Sequence, residues 1–304
     1  MTAEEQQKAR QGVLLALGAY TMWGIAPIYF KSLAAVSPLE ILSHRVVWSF
    51  FLLAALLHFG RHWRTVRDVL TSKSKMLYLV TTAILVGANW LIFIWAVNAN
   101  HMLDASLGYY INPLINVLLG MLFLGERLRK LQWFAVTLAT CGVLVQLVVF
   151  GSVPIVAIAL AFSFGFYGLL RKKVSVDAQT GLFIETLVML PAAAIYLLFI
   201  ASTPTSNMQA NPAHLNALLV AAGVVTTLPL LCFTGAATRL KLSTLGFFQY
   251  IGPSLMFLLA VLIYGEAFTS DKAITFAFIW GALVLFSFDG LRYSHKNRRT
   301  QQTN

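Results

Sequence analysis

Ten apolar runs, most of them near twenty residues long and joined by short polar connectors, constrain this chain more than any other feature. They fall at 11–31, 40–59, 76–98, 102–124, 131–150, 152–170, 180–201, 214–236, 242–264 and 273–291. A run of about twenty apolar residues crosses the hydrocarbon of a bilayer as a helix, because a helix satisfies its own backbone hydrogen bonds. Ten such runs in 304 residues leave no length for a sizeable soluble domain. The expected fold class is an all-α polytopic membrane protein with ten transmembrane helices. Composition agrees: 59% of residues are hydrophobic and 11% charged, against about 45–50% and about 25% in soluble domains. The first run follows a short polar leader and has no small-residue cleavage site, so it reads as a membrane helix rather than a signal peptide.

The net charge of +11 would suit nucleic acid if it formed a patch, but it does not. Lys and Arg alternate between connectors, nineteen on one side of the membrane against two (Lys31 and Lys272) on the other, with Arg45 inside a helix. One missed helix would scramble that alternation. The positive-inside rule places both termini of this multi-pass chain in the cytoplasm.

The chain also repeats itself. SLGYYINPLINVLLGMLFLGE, ending at Glu126, is echoed by TLGFFQYIGPSLMFLLAVLIYGE, ending at Glu266, and Pro113 stands as far before Gly125-Glu126 as Pro253 does before Gly265-Glu266. At the same offset of 140 or 141, Trp23-Gly24 falls on Phe164-Gly165, Ala96 on Ala236 and Arg45 on Glu185. Five helices per copy means that the copies enter the membrane in opposite senses. The expected organisation is two inverted five-helix repeats, 1–150 and 151–292, followed by a basic cytoplasmic tail, 293–304, disordered and drawn to anionic lipid. Inverted repeats with helices interrupted near the midplane are the architecture of alternating-access transporters.

Polar residues inside the runs are candidates for a cavity. Glu40, His44 and Trp48 share one face of the second helix, with Arg45 beside them. An arginine near the bilayer centre costs about 2.5–3.5 kcal/mol on insertion scales. Arg45 therefore either lines a cavity for an anionic or zwitterionic solute, or snorkels outward and pairs with Glu40. Glu185, its counterpart, is the candidate for a protonatable coupling group; the alternative is a carboxylate that caps a helix or pairs with a basic loop. Asp289 and Arg292 read as an interfacial ion pair.

Tyr109, Asn112, Asn116 and Gly120 form one stripe of the fourth helix, and Gln249, Gly252, Met256 and Ala260 answer in the ninth, beside Tyr250. Tyr20, Trp23 and Pro27 share a face of the first helix, and Asn89, Trp90, Trp95 and Asn98 lie in the third. These side chains can hold a solute by hydrogen bonds and ring contacts, or tie helices to one another. Pro113 and Pro253 are candidate hinges. Trp63 and Trp133 suit the lipid interface. Cys141 and Cys232 have no metal-ligand spacing, and no phosphate-binding loop is present, so no cofactor or metal is expected.

The Pro-x11-Gly-Glu ending of both fourth helices, with QGVLLALGAYTMWGIAPIYFK, ILSHRVVWSF, ANWLIFIWAVN and LSTLGFFQYIGPSLMFLLAV, resembles the EamA type of the drug/metabolite transporter superfamily over nearly the whole chain. The resemblance implies a ten-helix fold, a central cavity formed by both repeats, and efflux or exchange of small metabolites or drugs across a bacterial cytoplasmic (inner) membrane; import is the alternative direction. The Gly-Glu pairs carry over as helix-end structure. The expected partners are a small-molecule substrate and membrane lipid, with no nucleic acid, proton coupling open through Glu185, and a monomer or weak homodimer. A membrane-embedded enzyme would have only His101-x2-Asp104 to offer, and a non-transporting sensor or scaffold would need no accessible cavity.

Overall fold

Small residues stand at several crossings between helices of opposite repeats, and such residues let helices approach closely in a solvent as apolar as themselves. The computed structural model describes residues 3–98, 102–151, 155–263 and 270–302, and among them every regular element is helical. The helices are α1 (Ala3–Lys31), α2 (Pro38–Phe59), α3 (Trp63–Leu70), α4 (Lys73–Asn98), α5 (Met102–Leu124) and α6 (Lys130–Phe150). The second half adds α7 (Ile155–Lys173), α8 (Ala178–Ile195), α9 (Ala213–Arg239), α10 (Leu242–Gln249), α11 (Ile251–Leu262) and α12 (Ser270–Gln302).

Nine stretches of the described residues are long and apolar enough to cross a membrane, α10 and α11 counting together, and the apolar part of α5, Gly108–Leu124, belongs to the tenth crossing. Large apolar side chains such as Val148 and Val284 stand 79% and 67% exposed, which suits a surface facing lipid rather than water. The chain is a multi-pass membrane protein.

The packing is symmetric under exchange of the repeats. First and fourth crossings meet as α1 with α11 and as α7 with α5; first and third meet as α1 with α9 and as α7 with α4; second and third meet as α2 with α9 and as α8 with α4. Like pairs with like in α2–α8, α5–α10 and α6–α12. A Cβ on Gly223 would lie 2.6 Å from the backbone of Trp48, one on Gly246 2.7 Å from the Pro113 carbonyl, and one on Gly142 3.1 Å from the Thr275 carbonyl. Those three glycines set the approach of α9 to α2, α10 to α5 and α6 to α12. The fifth crossings pair with each other at the periphery, and the first four of each repeat surround the centre.

Several elements depart from expectation. The basic connector after α2 folds into α3, whose Val66 and Val69 are buried while Arg64 and Arg67 stay exposed, an amphipathic turn suited to the lipid interface. Trp63 on this helix packs edge-on against Phe183. Where a disordered tail was expected, α12 continues to Gln302, since the segment contains no proline or glycine after Gly290 to stop it. Asp289 pairs not with Arg292 but with Arg129, whose Nε donates at 2.6 Å, because α6 against α12 delivers a partner with better geometry than the local one. Pro113 sits inside a continuous α5, whereas the helix containing Pro253 breaks at Tyr250.

Candidate functional site

Three of the prolines within helices remove backbone hydrogen bonds beside the centre of the bundle. Proline has no N–H, so the carbonyl four residues earlier loses its helical donor. Pro27, Pro113 and Pro253 thereby free the carbonyls of Trp23, Tyr109 and Gln249. All three residues belong to the wall of one central cavity of about 250 Å³.

The first crossing supplies Tyr20, Trp23, Pro27 and Phe30, α2 supplies Arg45, and α4 supplies Asn89, Trp90 and Phe93. Gly108, Tyr109 and Asn112 come from α5, Leu160 and Phe164 from α7, Leu230 from α9, and Gln249, Gly252, Pro253 and Met256 from α10 and α11. Phe30 and Tyr109 are each 36% exposed, while Tyr20, Asn112 and Gln249 are buried. The exposed wall residues lie toward the connectors that are poor in lysine and arginine, and the buried ones lie nearer the basic connectors.

The closed end is filled by rings. Phe233 and Tyr167 are fully buried and stacked at 5.9 Å, with Phe164 5.0 Å and Trp23 5.8 Å from Phe233. Polar ties reinforce it. Glu126 follows Gly125, which ends α5 in the left-handed conformation at φ 62°. Its carboxylate accepts the backbone N–H of Leu242 at 2.6 Å and of Ser243 at 3.0 Å, and the Ser243 hydroxyl at 2.6 Å, thereby capping α10. Lys172 donates to the Ala237 carbonyl at 3.0 Å and to that of Leu240 at the end of α9. Replacing Glu126 by Ala is expected to cost about 1–2 kcal/mol, the scale of a lost helix cap, read as a lower unfolding temperature in detergent with the Gln variant in between.

Arg45 has no counterion among the described residues. Its Nε donates to Thr226 Oγ1 at 2.8 Å, and its guanidinium carbon lies 4.5 Å from the Trp90 ring and 5.7 Å from that of Phe30. Glu40, the expected alternative partner, instead accepts hydrogen bonds from Thr203 and from Thr205 at 3.0 Å in the connector after α8. Glu185 is the mirror image. Thr82 of α4 donates to it at 2.6 Å, as Thr226 of α9 holds Arg45, and Tyr167 donates at 3.3 Å. Arg171 completes the set, its Nη1 3.7 Å away and both side chains all but fully buried. Arg171, read from the sequence as a connector residue, is therefore inside the protein, and Glu185 is an ion-paired carboxylate. A water-sized void of about 10 Å³ borders both Arg45 and Glu185.

The other candidates divide. Asn89 is at the wall, but its amide donates to the Leu160 carbonyl and to Ser163, so it clamps α4 to α7. His44, Trp48, Asn116 and Tyr250 stand outside the wall. Trp48 donates to His44 Nδ1, Asn116 donates to Gln249 Oε1 at 2.9 Å, and the Tyr250 hydroxyl reaches the Tyr110 carbonyl. The face shared by Glu40, His44 and Trp48 turns to protein, and Arg45 alone of that corner turns to the cavity. The side chains of Trp95, Asn98, Asp104 and Ala260, and His101, Gly265 and Glu266 altogether, lie outside the described residues. Phe30, Phe93 and the plug residues Tyr167 and Phe233 were missed, although Phe93 and Phe233 stand 140 residues apart, the repeat's own offset.

The EamA-like transporter family model matches residues 10–148 and 152–288, one match for each half of the structure. The chain belongs to the EamA-like transporter family. Its similarity to other family members is nearly end to end. An uncharacterized transporter of Vibrio cholerae is 77% identical over 297 residues, 98% of either chain. Protein RarD of Escherichia coli is 60% identical over 298 residues, 98% of this chain and 100% of its own. The chloramphenicol-sensitive protein RarD of Pseudomonas aeruginosa is 34% identical, covering 95% and 97%. A solved crystal structure at 20% identity superimposes with a TM-score of 0.69 over 90% of this chain and 96% of its own, which shows the shared fold. In this EamA-like chain the cavity lies where the two matched halves meet.

Proposed function

We propose that this chain is a secondary transporter that moves small solutes across a bacterial cytoplasmic membrane by alternating access, chiefly in efflux, with both termini in the cytoplasm. The observation that carries the reading is a cavity at the junction of two inverted repeats, reachable from one side and plugged on the other. The plug is packed side chains rather than continuous backbone. Exchange of the two repeats' conformations would open the opposite side, because wall positions have counterparts at the repeat's offset of 140 or 141: Met256 at Asn116, Phe93 at Phe233, Pro27 at Gly168, Arg45 at Glu185. Arg171–Glu185 and the Lys172 and Glu126 ties are the latch to be released on passing to that second state. A proton taken up by Glu185 would neutralise the partner of Arg171 and loosen the latch, which is the form of proton coupling we assign. Efflux as the direction rests on the family resemblance, with import or exchange as the alternative.

Two single cysteines test both orientation and alternation in a variant lacking Cys141 and Cys232. Met256→Cys, at the cavity wall, should react with an impermeant maleimide in intact cells. Asn116→Cys, fully buried here, should react in inside-out vesicles at a measurable rate. A static scaffold predicts no labelling of Asn116→Cys from either side, and labelling of Met256→Cys from the cytoplasmic face alone would reverse the assigned topology.

A further inference from the structure

Among the described residues, the cavity that the transport reading gives to the substrate has one charge and no acid of the protein's own to balance it. Among the described residues Arg45 is the only charged side chain in its wall. No carboxylate lies within ion-pair distance of that guanidinium among them, and the two nearby buried acids are already engaged, Glu40 by Thr203 and Thr205 and Glu185 by Arg171, Thr82 and Tyr167. A cation held among rings and methyl groups is costly until an anion joins it. At the floor, the Tyr20 hydroxyl is buried with no hydrogen-bond partner, a donor that suits a carboxylate. The rest of the wall is largely aromatic, with Trp23, Trp90, Phe93 and Phe164 offering ring faces. A volume of about 250 Å³ sits just below the usual range for small-molecule sites and suits one or two fused rings with a short side chain.

We propose that the solute is a compact aromatic organic acid of net charge minus one, its carboxylate on Arg45 and its ring between the tryptophans. This rests on the cavity being the substrate site. An ammonium group would meet no acid here, so amines are excluded by the guanidinium and zwitterions lose one of their two ionic partners. Charge, rather than size alone, is then what the site selects.

The test uses five probes on the purified full-length protein in nanodiscs: indole-3-acetate, indole-3-acetamide, tryptamine, tryptophan and acetate. Thermal shift followed by far-ultraviolet circular dichroism, together with titration calorimetry, reports binding, because the indole probes fluoresce where tryptophan does. Indole-3-acetate should bind at least about tenfold more tightly than the amide and tryptophan, the scale of one charge-assisted contact, with tryptamine and acetate weaker still. Arg45→Lys should keep this order and Arg45→Gln should erase it; the wild-type series decides the matter alone if either variant misfolds. Equal affinity for the amide, preference for tryptamine, an unchanged order in folded Arg45→Gln, or no binding of indole-3-acetate at millimolar concentration would each overturn the proposal. The series needs no flux, so it can fail while the cysteine pair still reports alternating access, and the reverse.

Discussion

Arg171→Leu is expected to destabilise the protein by about 3–5 kcal/mol, the cost of leaving one member of a buried ion pair uncompensated. The arginine is fully buried, and the Glu185 carboxylate it faces would keep only the hydroxyls of Thr82 and Tyr167. Apparent unfolding in detergent, followed by intrinsic fluorescence, should fall by on the order of 10 °C. The double variant Arg171→Leu/Glu185→Leu should recover most of that loss, because replacing both partners by apolar groups removes the unpaired charge. The comparison also separates two roles of Glu185. Should the single variant be as stable as the parent, the carboxyl is neutral in this conformation and acts as a proton carrier without the arginine. A large single loss with recovery in the double makes it the latch described above, released when the closed side opens.

The second large effect falls on activity rather than folding. Arg45→Leu should leave the unfolding temperature unchanged or raised, since it removes a residue that costs about 2.5–3.5 kcal/mol to insert centrally. Counterflow of the tightest-binding probe of the indole series into proteoliposomes should nevertheless fall by about 30-fold or more, as when one partner of a desolvated charge pair is truncated at a cost of about 2–5 kcal/mol. Loss of both stability and flux would mark Arg45 as a structural residue tied to Thr226. Normal counterflow in the leucine variant would remove Arg45 from the substrate site.

Crossing number, orientation bias and the duplicated unit were all legible in the residues. Each rests on a one-dimensional signal: the length of an apolar run against bilayer thickness, the alternation of Lys and Arg, and the offset from Pro113 to Pro253. The cavity was legible only in part. Arg45, Tyr20, Trp23, Trp90, Asn112 and Gln249 are polar or aromatic where lipid would favour leucine, and that contrast is visible along the chain. Phe30 and Phe93 gave no contrast, because a phenylalanine in an apolar run looks the same whether it faces lipid or a cavity.

Partners were decided by the tertiary structure alone. Helical spacing puts Glu40 beside His44 and Arg45, and Asp289 beside Arg292, so local reading pairs them. The fold instead brings Thr203 to Glu40, Thr226 to Arg45, Arg171 to Glu185 and Arg129 to Asp289. The physical reason is that burying a charge costs more than any neighbour on the same helix returns, so the arrangement that survives is the one in which another helix supplies the donor or acceptor. Arg45 is the exception among these, with a threonine and two rings where an acid would be expected. No property of its flanking residues foretold that; the packing of α2 between α8 and α9 decided it.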